Sequence, residues 1–379
     1  MAPISLLLKK SREKPSPSKL NAKALAEARE AFFRRNKELG HPFSRRPKPG
    51  AKEGSPAFRE WESRAESLLQ YYADVLFPLE NEMAEKGVFL SFELVGNAVT
   101  FGDIIRQSAI CGCETAFVAN TKLNARETAL GSLLQRRLIA AAFSPGFPPA
   151  PQRIFVFADQ AEKKILGHFE RAEKNPLEFL HTETPLNEKI AGFHIRQAVE
   201  GLIDAGFSYP RLPSLLAEML YQHSLLGEDR DSLLDKFVFD SLMHEAGHML
   251  LRKLIPDRAM PTAVDEFFAY SSSLSASKST RLYLAELVKQ AALYLYSPKG
   301  PHTHAAKEFV GEFNRRLGIK EELGPRSLID SLPRYLCMPV GQVRTISSAI
   351  LEGVCTELGK SQEGFLEGAA KDAEEAVFG

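Results

Sequence analysis

Cysteine is scarce in this chain, four in 379 residues. That is too few for a disulfide framework, and Cys111, Cys113, Cys337 and Cys355 lack the spacing of a zinc ribbon, so they read as buried free thiols. Long apolar runs are missing too. No stretch approaches the ~20 residues a membrane-spanning helix needs. Leu6, Leu7 and Leu8 come before Lys9 and Lys10, the reverse of a secretory leader, in which charge precedes the apolar core. Cytoplasmic residence is the expectation. A phosphate loop is absent: Gly359-Lys360-Ser361 would need its first glycine at the position held by Val354, and Gly353 falls one residue early. ATPase chemistry is thereby excluded. No charge of one sign dominates, with 48 Lys and Arg against 48 Asp and Glu, and no internal repeat points to a solenoid.

What is present is a globular composition, 44% hydrophobic and 25% charged. The zero net charge hides an asymmetry. Residues 1–57 hold fourteen Lys and Arg against five Asp and Glu, a local +9. Within them, residues 20–39 form a credible basic helix, and 40–56, rich in proline and glycine, read as a linker. A basic arm of this kind could touch nucleic acid or an anionic surface. The plainer reading, a solvated and partly disordered leader, is preferred because neither an aromatic-interleaved RNA motif nor zinc-finger spacing accompanies it.

The chemistry is concentrated at His244-Glu245-Ala246-Gly247-His248. On a helix, residues four apart project from one face one turn apart, so two imidazole Nε2 atoms can converge on one metal ion. Glu245, beside the first histidine, is placed to take a proton from a metal-activated water. The surrounding run, 231–255, reads as one largely buried helix. Ser232 and Asp235 would form a capping box, Arg252 and Lys253 occupy the last turn, and Pro256 stops it. A second helix restarts near 263, with Thr262 and Asp265 as its capping box. It carries Glu266 eighteen residues beyond His248. Two histidines, one carboxylate and a water make an open four-coordinate zinc site, the catalytic pattern, with one Zn2+ per chain. Asp265 and Asp257 are alternatives for the third ligand.

His244-Glu245-x-x-His248 followed by Asp265-Glu266-Phe267-Phe268-Ala269 resembles the gluzincin metallopeptidases, which place their third ligand on a glutamate helix. The resemblance covers roughly 232–270. It implies His244, His248 and Glu266 as zinc ligands, Glu245 as general base and proton shuttle, and hydrolysis of peptide bonds. The metzincin pattern fits less well, since Leu251 and Leu254 stand where its glycine and histidine belong. Gluzincins also supply a histidine or tyrosine to the oxyanion, and the candidates are Tyr270, His302 and His304. For the Nδ1–H groups of the zinc histidines, Asp265 and Asp240 are the candidate acceptors.

The rest of the chain supplies a setting of the same kind. Residues 88–95 and 98–105 have the form of a hairpin about Gly96-Asn97. Short strands are expected at 115–118 and 153–158, with a helix at 123–143 between them. A helix at 57–86 should break at Pro78, and from 160 onward nearly everything reads as helix. The expected fold is therefore α+β, a zincin-like metallopeptidase core with a small, mostly antiparallel sheet and a largely helical C-terminal body. The expected divisions are an arm and linker at 1–56, an α/β part at 57–159 and a helical part at 160–379 carrying the zinc site. The leading function is a zinc metallopeptidase acting on a peptide or protein substrate. The alternative is a catalytically silent zincin-like scaffold whose basic arm, residues 1–56, contacts nucleic acid or an anionic surface. A zinc hydrolase of another amide is a third reading.

Overall fold

In the computed structural model the described residues are 2–13, 17–43, 54–94, 98–110, 113–121, 140–143, 153–181, 186–255, 261–360 and 364–378. They fall into two compact units, Met1–Gln160 and Ala161–Gly379.

The first unit begins with two helices, α1 (Ile4–Glu13) and α2 (Pro17–Glu38). Where composition suggested a partly disordered arm, Ile4, Leu8 and Phe32 are fully buried. Ser11 Oγ donates to Asp103 at 2.6 Å and accepts from Asn120 Nδ2 at 3.1 Å, holding α1 against the sheet. The apolar positions of these helices outweigh their charge, which a charge tally cannot reveal. Next come α3 (Pro56–Tyr71) and α4 (Phe77–Glu85), joined by a π-helical turn at Tyr72–Leu76 in place of a break at Pro78. Pro78 lies in the first turn of α4, directly after the π-helical turn.

The sheet contains β1 (Val88–Glu93), β2 (Ala98–Ile110), β3 (Cys113–Thr121), β4 (Ala140–Phe143) and β5 (Arg153–Phe157), in the order β1-β2-β3-β5-β4. β1 and β2 pair antiparallel from Val88↔Asp103 to Glu93↔Ala98, the expected hairpin, with β2 running five residues further than expected. Residues 95–97 lie outside the described residues. β3 and β5 run parallel while β4 and β5 run antiparallel, so the sheet is mixed. Residues Ala140–Phe143, expected at the end of a helix, are a strand because they pair with β5, a tertiary contact that overrides alanine's helical preference. The rest of that expected helix, 123–139, lies outside the described residues. Alternation along β1 sends Leu90 and Phe92 to the core shared with Phe32 and Leu68, and Phe89 to the opposite face with Phe155 and Phe157.

The second unit is helical: α5 (Ala158–Lys174, shared across the division), α6 (Glu188–Asp204), α7 (Leu212–Leu225), α8 (Arg230–Leu254), α9 (Thr262–Ala276), α10 (Thr280–Tyr296), α11 (Pro301–Arg316), α12 (Pro325–Cys337), α13 (Val340–Glu357) and α14 (Phe365–Phe378). α8 is buried nearly all round from Leu233 to Leu251 apart from a few half-buried positions, its polar residues included. Its cap is Asp229, whose carboxylate accepts from the N–H groups of Asp231 and Ser232 at 3.0 and 2.9 Å, and the expected capping box at Ser232 is not used. The chain is thus α+β with a small mixed sheet and a largely helical body. No helix among the described residues is long and apolar enough to cross a membrane. Cys337 and Cys355 are free thiols, half-buried and buried.

Candidate metal centre

α8 and α9 pack closely, and the contact runs through the glycine of the motif. A Cβ on Gly247 would stand 2.8 Å from Ala269 Cα and 3.0 Å from Ser272 Cβ. A glycine inside a helix costs about 1 kcal/mol relative to alanine, and here it lets the second helix approach near enough to aim Glu266 at the two histidines.

His244 Nε2 and His248 Nε2 stand 3.3 Å apart. Glu266 Oε2 lies 3.4 Å from His244 Nε2, and Glu266 Oε1 lies 3.8 Å from His248 Nε2. Ligand atoms around tetrahedral zinc, at bonds of about 2.0–2.1 Å, stand about 3.3–3.4 Å from one another. The separations from His244 Nε2 match that edge, while the one between Glu266 Oε1 and His248 Nε2 is longer. Among the described residues, these three form the group whose ligand atoms lie within 4.8 Å of one another.

Both rings are fixed from behind. His248 Nδ1 is 2.7 Å from Asp265 Oδ1, so Nδ1 donates to the carboxylate and Nε2 is the nitrogen that faces the site. His244 Nδ1 is 3.0 Å from the Tyr283 hydroxyl, which α10 supplies. Two lone pairs and a carboxylate pointed at one another repel unless a cation or a proton stands between them. Glu266 Oε2 is buried and takes no aligned hydrogen bond, although His302 Nδ1 stands 3.0 Å away.

The electrostatics record this crowding. Burial alone would lower the His248 pKa, but its hydrogen bond to Asp265 and the charges of Glu245, Asp265 and Glu266 outweigh burial and raise it to about 9. Glu266 shows the converse. Burial pushes its carboxyl up, and the imidazoles of His244, His302 and His248 more than reverse this, holding it far below the usual range. A site that draws a proton so strongly has the donor set and the negative charge that suit a divalent cation.

Glu245 is 6% exposed, and its charge acts on both His248 and His302. Tyr270 is buried with its ring 5.2 Å from that of His244. His302, at the start of α11, reaches Glu266 while its side chain stays 61% exposed, so the centre meets solvent beside it. His304 is occupied elsewhere, stacked on Tyr294 at 5.1 Å and 3.5 Å from Glu308. Asp265 does not cap α9, whose first helical residue is Thr262; its carboxylate is turned to His248 instead. Asp257 lies outside the described residues.

Asp240 departs from the sequence expectation. It is fully buried, and its hydrogen bonds go to neither His244 nor His248. Its carboxylate accepts from Ser277 Oγ at 2.6 Å, Lys278 N at 2.7 Å and Ser279 N at 3.1 Å, tying α8 to the turn between α9 and α10. Burial raises its pKa to about 6 against the pull of those donors. Sequence reasoning missed Tyr283 and Gly247. Tyr283 carries no local signal, being 39 residues from its partner, whereas a glycine in the middle of an otherwise apolar helix does signal a close approach. Comparison of the chain with protein-family models, curated proteins and solved structures finds no match, and the reading of the centre stands on its own residues.

Proposed function

We propose that the chain is a zinc-dependent hydrolase of peptide bonds, with His244, His248 and Glu266 as the metal ligands. The observation that supports this best is the convergence of two imidazole nitrogens and a buried carboxylate at separations of 3.3 to 3.8 Å, with Glu245 buried beside them. Three protein donors leave a fourth position for water, as in catalytic rather than structural zinc sites. When bound, zinc would supply Lewis acidity and bring the pKa of a water toward neutrality.

The protein's own groups supply the rest. Asp265 and Tyr283 keep the two imidazoles turned inward, so little reorganisation is needed on loading. Glu245 takes the proton of the attacking water and returns it to the leaving amine nitrogen. His302, half in solvent and next to Glu266, is the group best placed to donate to the oxygen on which negative charge develops. Tyr270, buried against His244, is the second choice. The peptide bond is preferred to other amides because of the resemblance of 244–269 to gluzincins.

The test is elemental analysis of the purified chain and of His248→Ala and Glu266→Ala, followed by cleavage of a peptide library. One zinc per chain, lost in both variants, and cleavage that disappears in a zinc-loaded Glu245→Gln variant are the expected results. A wild-type chain that takes up no zinc, or a Glu245→Gln variant that cleaves as well as wild type, would overturn the reading.

A further inference from the structure

A second site stands apart from the metal centre. An open groove of about 860 Å3 is formed by α6, α7 and α10 with the end of α5, and none of His244, His248 or Glu266 lines it. Its wall is apolar: Leu202 from α6, Leu215, Leu216 and Met219 from α7, Leu293 and Tyr296 from α10. Leu293 and Tyr296 keep 37% and 47% of their surface exposed, at the rim. The sequence of α7 explains the arrangement. It is apolar nearly all round, and one face packs on α10 while the residues next to that face are left to the groove.

The charge around this apolar wall is mostly positive. Arg171, Arg211 and Lys289 line the groove against a single carboxylate, Glu218. Arg171 Nε lies 3.5 Å from Glu218 Oε1 and is thereby engaged. Lys289 Nζ stands 5.1 Å over the Tyr221 ring and Arg211 stands 5.4 Å over Phe207, and neither is in an ion pair among the described residues. The cations are also spread along the groove. Arg211 immediately precedes α7, and Lys289 stands over Tyr221, ten residues further along that helix, about 15 Å at the rise of a helix.

We propose that this groove docks an acidic amphipathic peptide segment of another protein, its apolar face against the leucines and its carboxylates reaching Arg211 at one level and Lys289 at another. An amphipathic helix laid in an apolar groove is a recurrent mode of recognition. A fatty carboxylate fits the wall but brings one charge, whereas cations at two levels match a chain with several. The site is independent of the metal centre, and its occupation does not require hydrolysis.

The probe is a fluorescein-labelled helical peptide of about four turns with leucine on one face and glutamate on the others. It is measured by fluorescence anisotropy against the full chain. The same peptide with lysine for glutamate, and decanoate, are measured alongside. The glutamate peptide is expected to bind, with affinity falling as salt rises. Arg211→Glu and Lys289→Glu should each weaken it roughly tenfold or more, and Leu293→Asp should abolish it. Neither charged residue is part of the metal centre, so zinc content and melting temperature should stay at wild-type values in all three variants and separate loss of docking from loss of fold. Equal binding of the lysine peptide, no binding of the glutamate peptide, or unchanged affinity in both charge reversals overturns the proposal. Binding of decanoate without binding of the peptide overturns it as well and points to a small amphiphile.

Discussion

At His248 a carboxylate on the neighbouring helix grips the imidazole by Nδ1 at 2.7 Å, and that grip decides which nitrogen faces the site. Asp265→Asn keeps the shape but loses the charge, so the ring becomes a poorer donor and its orientation is held less firmly. The expected outcome is a zinc affinity lower by roughly 10–100-fold, read by competition with a chromophoric chelator, with little change in stability. An affinity equal to wild type would mean that Asp265 does not tune the ligand. Residues that carry local signals were legible: His244 and His248 by their spacing, Glu266 by its restart of a helix, Asp265 by standing beside it. Asp240 was misread for an instructive reason. Its place one turn before His244 suggested support for the metal, yet its carboxylate turns to Ser277 and Ser279. Sequence spacing gives the turn of the helix, not the neighbour that waits on the other side.

Helices α8 and α9 were legible as elements, because long apolar periodicity and the stop near Pro256 mark them. How near they pack was not, since closeness depends on what is missing from the facing side chains. Gly247→Ala tests this. Alanine favours an isolated helix by about 1 kcal/mol, but here its methyl meets the Ala269 backbone at 2.8 Å. Overpacking of this kind costs about 1–3 kcal/mol, so the variant should unfold at lower urea and bind zinc more weakly at the same time. A stabilised variant would show that α9 yields freely.

The tie between α5 and α10 offers a second test, in pH. Glu286 lies 2.7 Å from Lys164 and 3.3 Å from His168. Burial would raise its pKa, yet Lys164 and His168 bring it from 4.5 down to about 2. The folded chain thus binds this proton less readily than the unfolded one. The stability it contributes, on the order of 3 kcal/mol, is complete above about pH 4.5 and is lost as pH falls through about 2. Wild type should therefore exceed Glu286→Gln in urea stability at pH 6, with the gap closing by pH 2. A gap that stays constant with pH would remove the charge from the account.

At the scale of the whole molecule one short strand was the hardest to foresee, because Ala140–Phe143 acquires its conformation only by pairing with β5. The two units, by contrast, carry their own reporters. Trp61 is the chain's one tryptophan. It donates from Nε1 to the Pro42 carbonyl at 2.8 Å and packs with the core that Phe32 and Leu68 share, all within the first unit. The candidate metal centre lies wholly in the second. A ligand stabilises only the structure that must fold to bind it, by about 2.7 kcal/mol at a hundredfold excess over its dissociation constant. For a unit of this size that is a rise in melting temperature of about 5–10 °C. Zinc should accordingly raise the transition seen in helical circular dichroism and leave the Trp61 emission transition in place, while a chelator reverses the first effect alone. If Trp61 shifts by the same amount, the two units unfold as one. If neither signal moves, the three donors around His248 hold no zinc, and the hydrolase reading falls with them.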